Sequence, residues 1–136
     1  ISNIIPHNLR LGIFDLYLIK GQRDWDSNPL YLFDEFSAYV NGTQVGVDYK
    51  LAERTETSAK NGYQMAGFCL YLLREIEQRK IKYDDYGPLK DFWLFQVKRL
   101  YTLSPANFVI LKEGLTSDEK MLQWVKTNVP EVLELK

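Results

Sequence analysis

Few side chains among these 136 residues have the chemistry to transfer a group or hold a metal. There is one histidine, His7, and one cysteine, Cys69. That excludes a histidine metal cluster, a multi-cysteine zinc site and a disulfide framework. His7 lies near one end, far from any serine or cysteine in a nucleophile setting, and reads as a surface histidine. Cys69 sits inside the apolar run 68–73 and reads as core rather than as a reactive thiol. Asp84 and Asp85 could pair as carboxylates for proton transfer or metal binding. They stand between Tyr83 and Tyr86, just before Gly87-Pro88, so a solvated turn is expected. Asp24 and Asp26, around Trp25, read the same way as loop residues. No phosphate-binding glycine loop, dinucleotide fingerprint, nucleophile elbow or zinc-protease motif occurs. The sequence predicts no metal, no cofactor and no self-contained active site.

One stretch gathers donors that could meet a phosphate. Thr57, Ser58, Lys60, Asn61 and Gln64 crowd compact donors into one short stretch, with Arg54 just before them. They are expected in the first turns of a long helix. Free N–H groups and the partial positive charge of a helix start favour anions there. Such side chains suit phosphate contact and some base-edge reading. The plainer alternative is a capping hydroxyl followed by a solvated helix face. Lys50, Lys80, Lys82 and Lys90 are candidates for more distant contacts.

Charge permits this only locally. Seventeen basic residues oppose eighteen acidic ones, for a net −1. Residues 50–99 hold ten basic and seven acidic residues, against three and six in 1–49 and four and five in 100–136. Only the middle of the chain has a basic excess, and it matters only if helices gather it on one face.

The elements that must position these residues are mostly helical. Leu9, Leu11, Ile13, Leu16 and Leu18 nearly alternate, which predicts a strand or extended arm ending at Gly21. Asn28-Pro29 is a helix start, Leu30, Phe33, Phe36 and Val40 follow at helical spacing, and Asn41-Gly42 predicts the stop. Residues 43–54 are expected to be loop. A long helix is predicted over about 58–80, with apolar stripes wide enough to be buried on much of its circumference. Gly62 and Gly67 weaken it intrinsically and fit a close helix crossing. A third helix carries Leu89, Phe92, Trp93, Val97 and Leu100. Ser104-Pro105 starts a short helix ending near Gly114, with a strand at 108–111 as the alternative. Thr116 and Glu119 have capping-box spacing before Met121, Leu122, Trp124 and Val125, and Pro130 ends that helix. Most of the aromatics among Tyr63, Phe68, Tyr71, Phe92, Trp93, Phe95 and Tyr101 are expected in the core, rather than as a stacking platform for single strands.

This order resembles the N-terminal core-binding domain of tyrosine recombinases, the phage-integrase family. The matching residues are Phe36-Ser37-Ala38-Tyr39-Val40 in the first helix, then Thr57, Ser58 and Tyr63 at the second start. Phe68-x-x-Tyr71-Leu72 matches the second end and Leu89-x-x-Phe92 the last helix. Residues 13–21 look like the extended leader before such domains. The likeness spans about half of the chain and rests mostly on core positions. The catalytic Arg, Lys, His, Arg and Tyr of the family belong to a separate C-terminal domain and have no counterpart here, and 104–136 does not match that domain's start.

The resemblance implies a compact mainly-α bundle of the core-binding (SAM-like) type with a short N-terminal extended segment. It divides the chain into 1–28, a core-binding-like unit at 29–103 and a helical extension or linker at 104–136. It implies duplex DNA as partner, gripped for strand exchange by a separate catalytic domain, with possible self-association on DNA. Arg54, Thr57, Ser58, Lys60, Asn61, Gln64, Lys80, Lys82 and Lys90 are the candidate contacts. The rival expectation is a helical protein-interaction module docking through the face of 63–76 or through Trp93 and Phe95. A third reading places Asp24, Asp26 or Asp84 around a metal. No run approaches the ~18 apolar residues of a membrane helix. The lone cysteine and the lack of a visible export signal fit a cytoplasmic protein. Ile1 in place of Met is expected of a processed chain or a piece of a longer protein.

Overall fold

The computed structural model describes residues 2–21 and 27–136. These residues form α1 (Tyr31–Asp48), α2 (Ala52–Gln78), α3 (Tyr86–Leu103), α4 (Val109–Ser117) and α5 (Glu119–Asn128). Short 3-10 turns occupy Ser2–Ile4, His7–Leu9, Pro105–Phe108 and Pro130–Glu134, and a π-helical stretch occupies Asp15–Lys20. The fold is a mainly-α bundle, and no strand occurs among the described residues.

The bundle is built around α2. From Gly62 to Leu73 nearly every side chain of α2 is buried, including Tyr63, Met65, Phe68, Cys69 and Leu70. No single face is apolar enough to explain this; the other elements cover α2 from several sides. From α1 come Phe36 and Val40, from α3 Trp93, Val97 and Leu100, and from α4 and α5 Leu111, Met121 and Val125. The buried Trp93 donates its indole N–H to Ala66 O at 2.9 Å, and Tyr63 donates its hydroxyl to Ser104 O at 2.9 Å. Both aromatic polar tips are thus satisfied inside the core.

Helices α1 and α2 form an antiparallel hairpin. Gly46 meets Thr55, Gly42 meets Ser58 and Tyr39 meets Gly62, stepping in opposite directions along the two helices. The predicted helix stop at Asn41-Gly42 and the predicted loop at 43–54 are therefore corrected. Helix α1 runs through both glycines to Asp48, the turn is only 49–51, and α2 starts at Ala52 rather than near Ser58. The reason is packing. A Cβ on Gly46 would lie 2.8 Å from the Thr55 backbone nitrogen, so this glycine lets two backbones approach. The glycines that look like punctuation are the crossing point.

The predicted N-terminal strand is also corrected. Residues 9–21 carry alternating apolar side chains, but the backbone turns, with Gly12 at φ +57° and the π-helical stretch following. Ile5, Ile13, Phe14 and Leu18 are buried while Leu11, Leu16 and Ile19 are exposed, so the segment packs through only part of its apolar set, with no neighbouring strand among the described residues. Residues 105–113 are helical, which removes the strand alternative at 108–111, and Gly114 lies inside α4 rather than after it. The start of α5 is capped by Asp118, whose carboxylate accepts from Met121 N at 3.1 Å, and not by Thr116. Residues 104–136 pack on the bundle: Phe108, Leu111, Leu115, Met121, Trp124 and Val132 belong to the same core.

Candidate nucleic-acid interface

Arg54, Thr57, Lys60, Asn61 and Gln64 fall on one flank of α2. At 100° per residue they share an arc of about 120°, with Ser58 at its edge. Ala59, Gly62, Tyr63 and Ala66 point the other way, into the core. Arg54, Thr57 and Lys60 are exposed, while Ser58, Asn61 and Gln64 are half-buried. The earlier start of α2 changes their role. Thr57 and Ser58 do not cap the helix and do not flank its free N–H groups. The first turn instead holds Glu53 behind Leu51, which makes no side-chain cap. Any anion contact on this flank must come from side chains.

Several of these side chains already have partners. Lys60 Nζ lies 3.1 Å from Glu56 Oε1, and Glu56 Oε2 accepts from Asn107 Nδ2 at 3.0 Å. The Asn107 amide and the Lys60 charge hold the Glu56 carboxyl below its ordinary range. This pair is exposed, and such pairs contribute little to stability. The Gln64 amide is engaged at both ends: Nε2 donates to Leu11 O, and Oε1 accepts from Ile13 N. Arg54 forms no ion pair among the described residues.

Lys60, Asn61 and Gln64 also line a groove of about 630 Å³ between α2, α4 and the N-terminal segment. Its floor is apolar, with Phe68, Leu111 and Leu115, and its outer wall is formed by Leu9, Leu11 and Gly12. The alternation at 9–13 points to a strand, so spacing alone does not reveal these residues as a wall. Gly12 between two branched apolar residues was the available signal.

Lys80, Lys82 and Lys90 are elsewhere. Lys80 and Lys82 follow the end of α2, about 36 Å of helix away from Arg54. Lys90, in the first turns of α3, places its Nζ 5.6 Å from the centre of the Tyr86 ring. The candidate residues thus form two groups, at opposite ends of α2, and not one contiguous face.

The face of 63–76, offered as a docking surface for a partner, is interior, as is Trp93; Phe95 on α3 is exposed. Asp84 and Asp85 occupy an exposed turn, and Asp24 and Asp26 lie outside the described residues. Among the described residues, no group of three or more histidine, cysteine or acidic side chains could hold a metal ion. The Cys69 thiol is fully buried, and burial pushes it well above its ordinary value, so it is not a nucleophile. Among the described residues, no helix is long and apolar enough to cross a membrane. Compared with protein families, curated proteins and solved structures, the chain matches none.

Proposed function

We propose that this chain binds duplex DNA as a non-catalytic gripping module, in the manner of the N-terminal domain of a tyrosine recombinase. A separate domain would then carry strand cleavage. The observation that carries the reading is the flank of α2, where Arg54, Thr57, Lys60, Asn61 and Gln64 stand in register on a helix held rigid by burial of its opposite side. Arg54 and Lys60 would contact phosphates, and Thr57 and Asn61 would add shorter hydrogen bonds. Lys80, Lys82 and Lys90 would meet the backbone at a second, distant place. With Glu53 and Glu56 beside the basic residues, attraction is mild, so binding is weak and falls as salt rises. Titration of labelled duplex across a salt series, with the Arg54→Ala/Lys60→Ala variant alongside, tests the reading.

A second reading, a protein-interaction module, rests on one specific feature. Val45, Val47, Tyr49 and Leu51 are all exposed around the α1–α2 corner, Tyr49 to 74%. A cluster of this kind marks an interaction site in other proteins. Loss of a partner, with DNA affinity unchanged, in a Tyr49→Ser/Leu51→Ser variant would favour this reading.

A further inference from the structure

The span between Ile5 and Ile13 is anchored at its two ends and lightly held between them. Ile5 is 1% exposed and Ile13 9%, whereas His7, Asn8, Leu11 and Gly12 are exposed, Leu11 to 69%. Its middle is tied to the bundle by few contacts. Asn8 Nδ2 donates to Ser117 Oγ at 3.2 Å, Leu9 rests against Gly114, and the Gln64 amide bridges Leu11 O and Ile13 N. Gly12 favours this closure. Its φ is +57°, and a Cβ there would sit 2.5 Å from Gln64 Oε1. The span is the outer wall of the groove, and it occupies both polar ends of one residue of the α2 flank.

We propose that residues 6–12 form a strap that closes over the α2 flank and competes with the DNA backbone for it. Closed, the strap engages Gln64 and stands beside Asn61 and Lys60. Open, it frees the Gln64 amide and widens access along α2. Opening breaks the Gln64 bonds to Leu11 O and Ile13 N and lifts Leu9 from Gly114, while the side chains of Ile5, Ile13 and Phe14 stay buried. The strap therefore sets DNA affinity through the fraction of molecules in which it is open. This proposal rests on the DNA-binding reading above.

Two variants that substitute no residue of α2 test it in opposite directions. Gly12→Val removes the left-handed conformation and pushes against Gln64, which favours the open strap. Asn8→Cys with Ser117→Cys, oxidised, locks it shut; Cys69 is buried and does not compete. Hydrogen exchange of the Ile13 amide, without DNA, reports the strap itself: faster in Gly12→Val, slower in the oxidised pair. With labelled duplex, Gly12→Val is expected to bind about ten-fold or more tightly than the parent, as for an open state populated at roughly a tenth or less. The oxidised pair is expected to bind more weakly than the same protein after reduction. If strap exchange moves as stated while every form binds duplex equally, the strap proposal is overturned and the DNA reading stands. If no form binds duplex even at low salt, the DNA reading is what has failed, and the strap's competition falls with it.

Discussion

The Tyr71 hydroxyl donates to Asp118 Oδ2 at 2.9 Å, joining the middle of α2 to the first turn of α5. The same carboxylate caps α5 through Met121 N, and Arg74 Nη1 lies 3.9 Å away. One acidic residue thus links the start of α5 to the helix that carries the candidate interface. Removing either partner has a definite cost. Tyr71→Phe is expected to destabilise by about 1 kcal/mol and Asp118→Ala by about 1–2 kcal/mol, through the lost hydrogen bond and the lost cap. The double variant is expected to lose less than the sum, because both changes break the same bond. Urea denaturation of the four proteins checks this.

The same carboxylate gives stability a pH dependence. Burial alone would raise the Asp118 carboxyl, but the Met121 N–H, the Tyr71 hydroxyl and the Arg74 charge outweigh it and hold the group below its ordinary range. The unfolded chain then takes up this proton before the folded one does. Asp118's contribution is complete above the ordinary carboxylate range and drains away as pH falls through its lowered folded value. Thermal midpoints measured from pH 7 down to pH 3 should converge for the parent and Asp118→Asn. A constant offset between them would contradict the assignment.

The α1–α2 crossing predicts a sharp response at one glycine. Gly46→Ala places a methyl 2.8 Å from the Thr55 nitrogen and 2.9 Å from its Cα, both backbone atoms that cannot swing away. A loss of about 1–3 kcal/mol is expected from overpacking. Gly87→Ala meets nothing within 4 Å and is the control. Equal denaturation midpoints for the two variants would contradict the close approach.

Much of the fold was legible in the residues, and the parts that were not have physical causes. Phe68, Leu72 and Ile76 on α2, and Trp93, Val97 and Leu100 on α3, show helical periodicity because their burial is one-sided or wide, which spacing reveals. Gly42 and Gly46 misled because a glycine that admits a neighbouring backbone is locally identical to one that ends a helix; only their four-residue spacing on one face hints at the difference. That error shifted the start of α2 and placed Thr57 and Ser58 at a helix terminus they do not occupy. The alternation at 9–18 does not report burial: Ile13, Phe14 and Leu18 are buried while Leu11 and Leu16 are exposed, because the backbone turns at Gly12 and coils through Asp15–Lys20. The polar flank itself was readable, since Arg54, Thr57, Asn61 and Gln64 repeat at three and four. That Gln64 is engaged by Leu11 and Ile13 was not readable, because the contact joins residues more than fifty positions apart.

Both ends of the hairpin's helices close in the same way. Lys50 has φ +55° after α1 and Lys80 has φ +53° after α2. Leu51 N donates to Gly46 O at 2.7 Å and Ile81 N to Ile76 O at 3.1 Å, the bond pattern of a left-handed helix cap. Glycine adopts this conformation without the Cβ penalty, so Lys50→Gly and Lys80→Gly should each stabilise by up to about 1 kcal/mol. Melting temperatures that fall in both variants would contradict this account of the caps.

Salt-dependent binding tests most directly whether the α2 flank contacts DNA phosphates. Affinity of the parent for labelled duplex should fall linearly on logarithmic axes as salt rises, and Arg54→Ala/Lys60→Ala should bind more weakly with a slope shallower by about two phosphate contacts. Identical slopes for parent and variant, or no binding at the lowest salt, would contradict it.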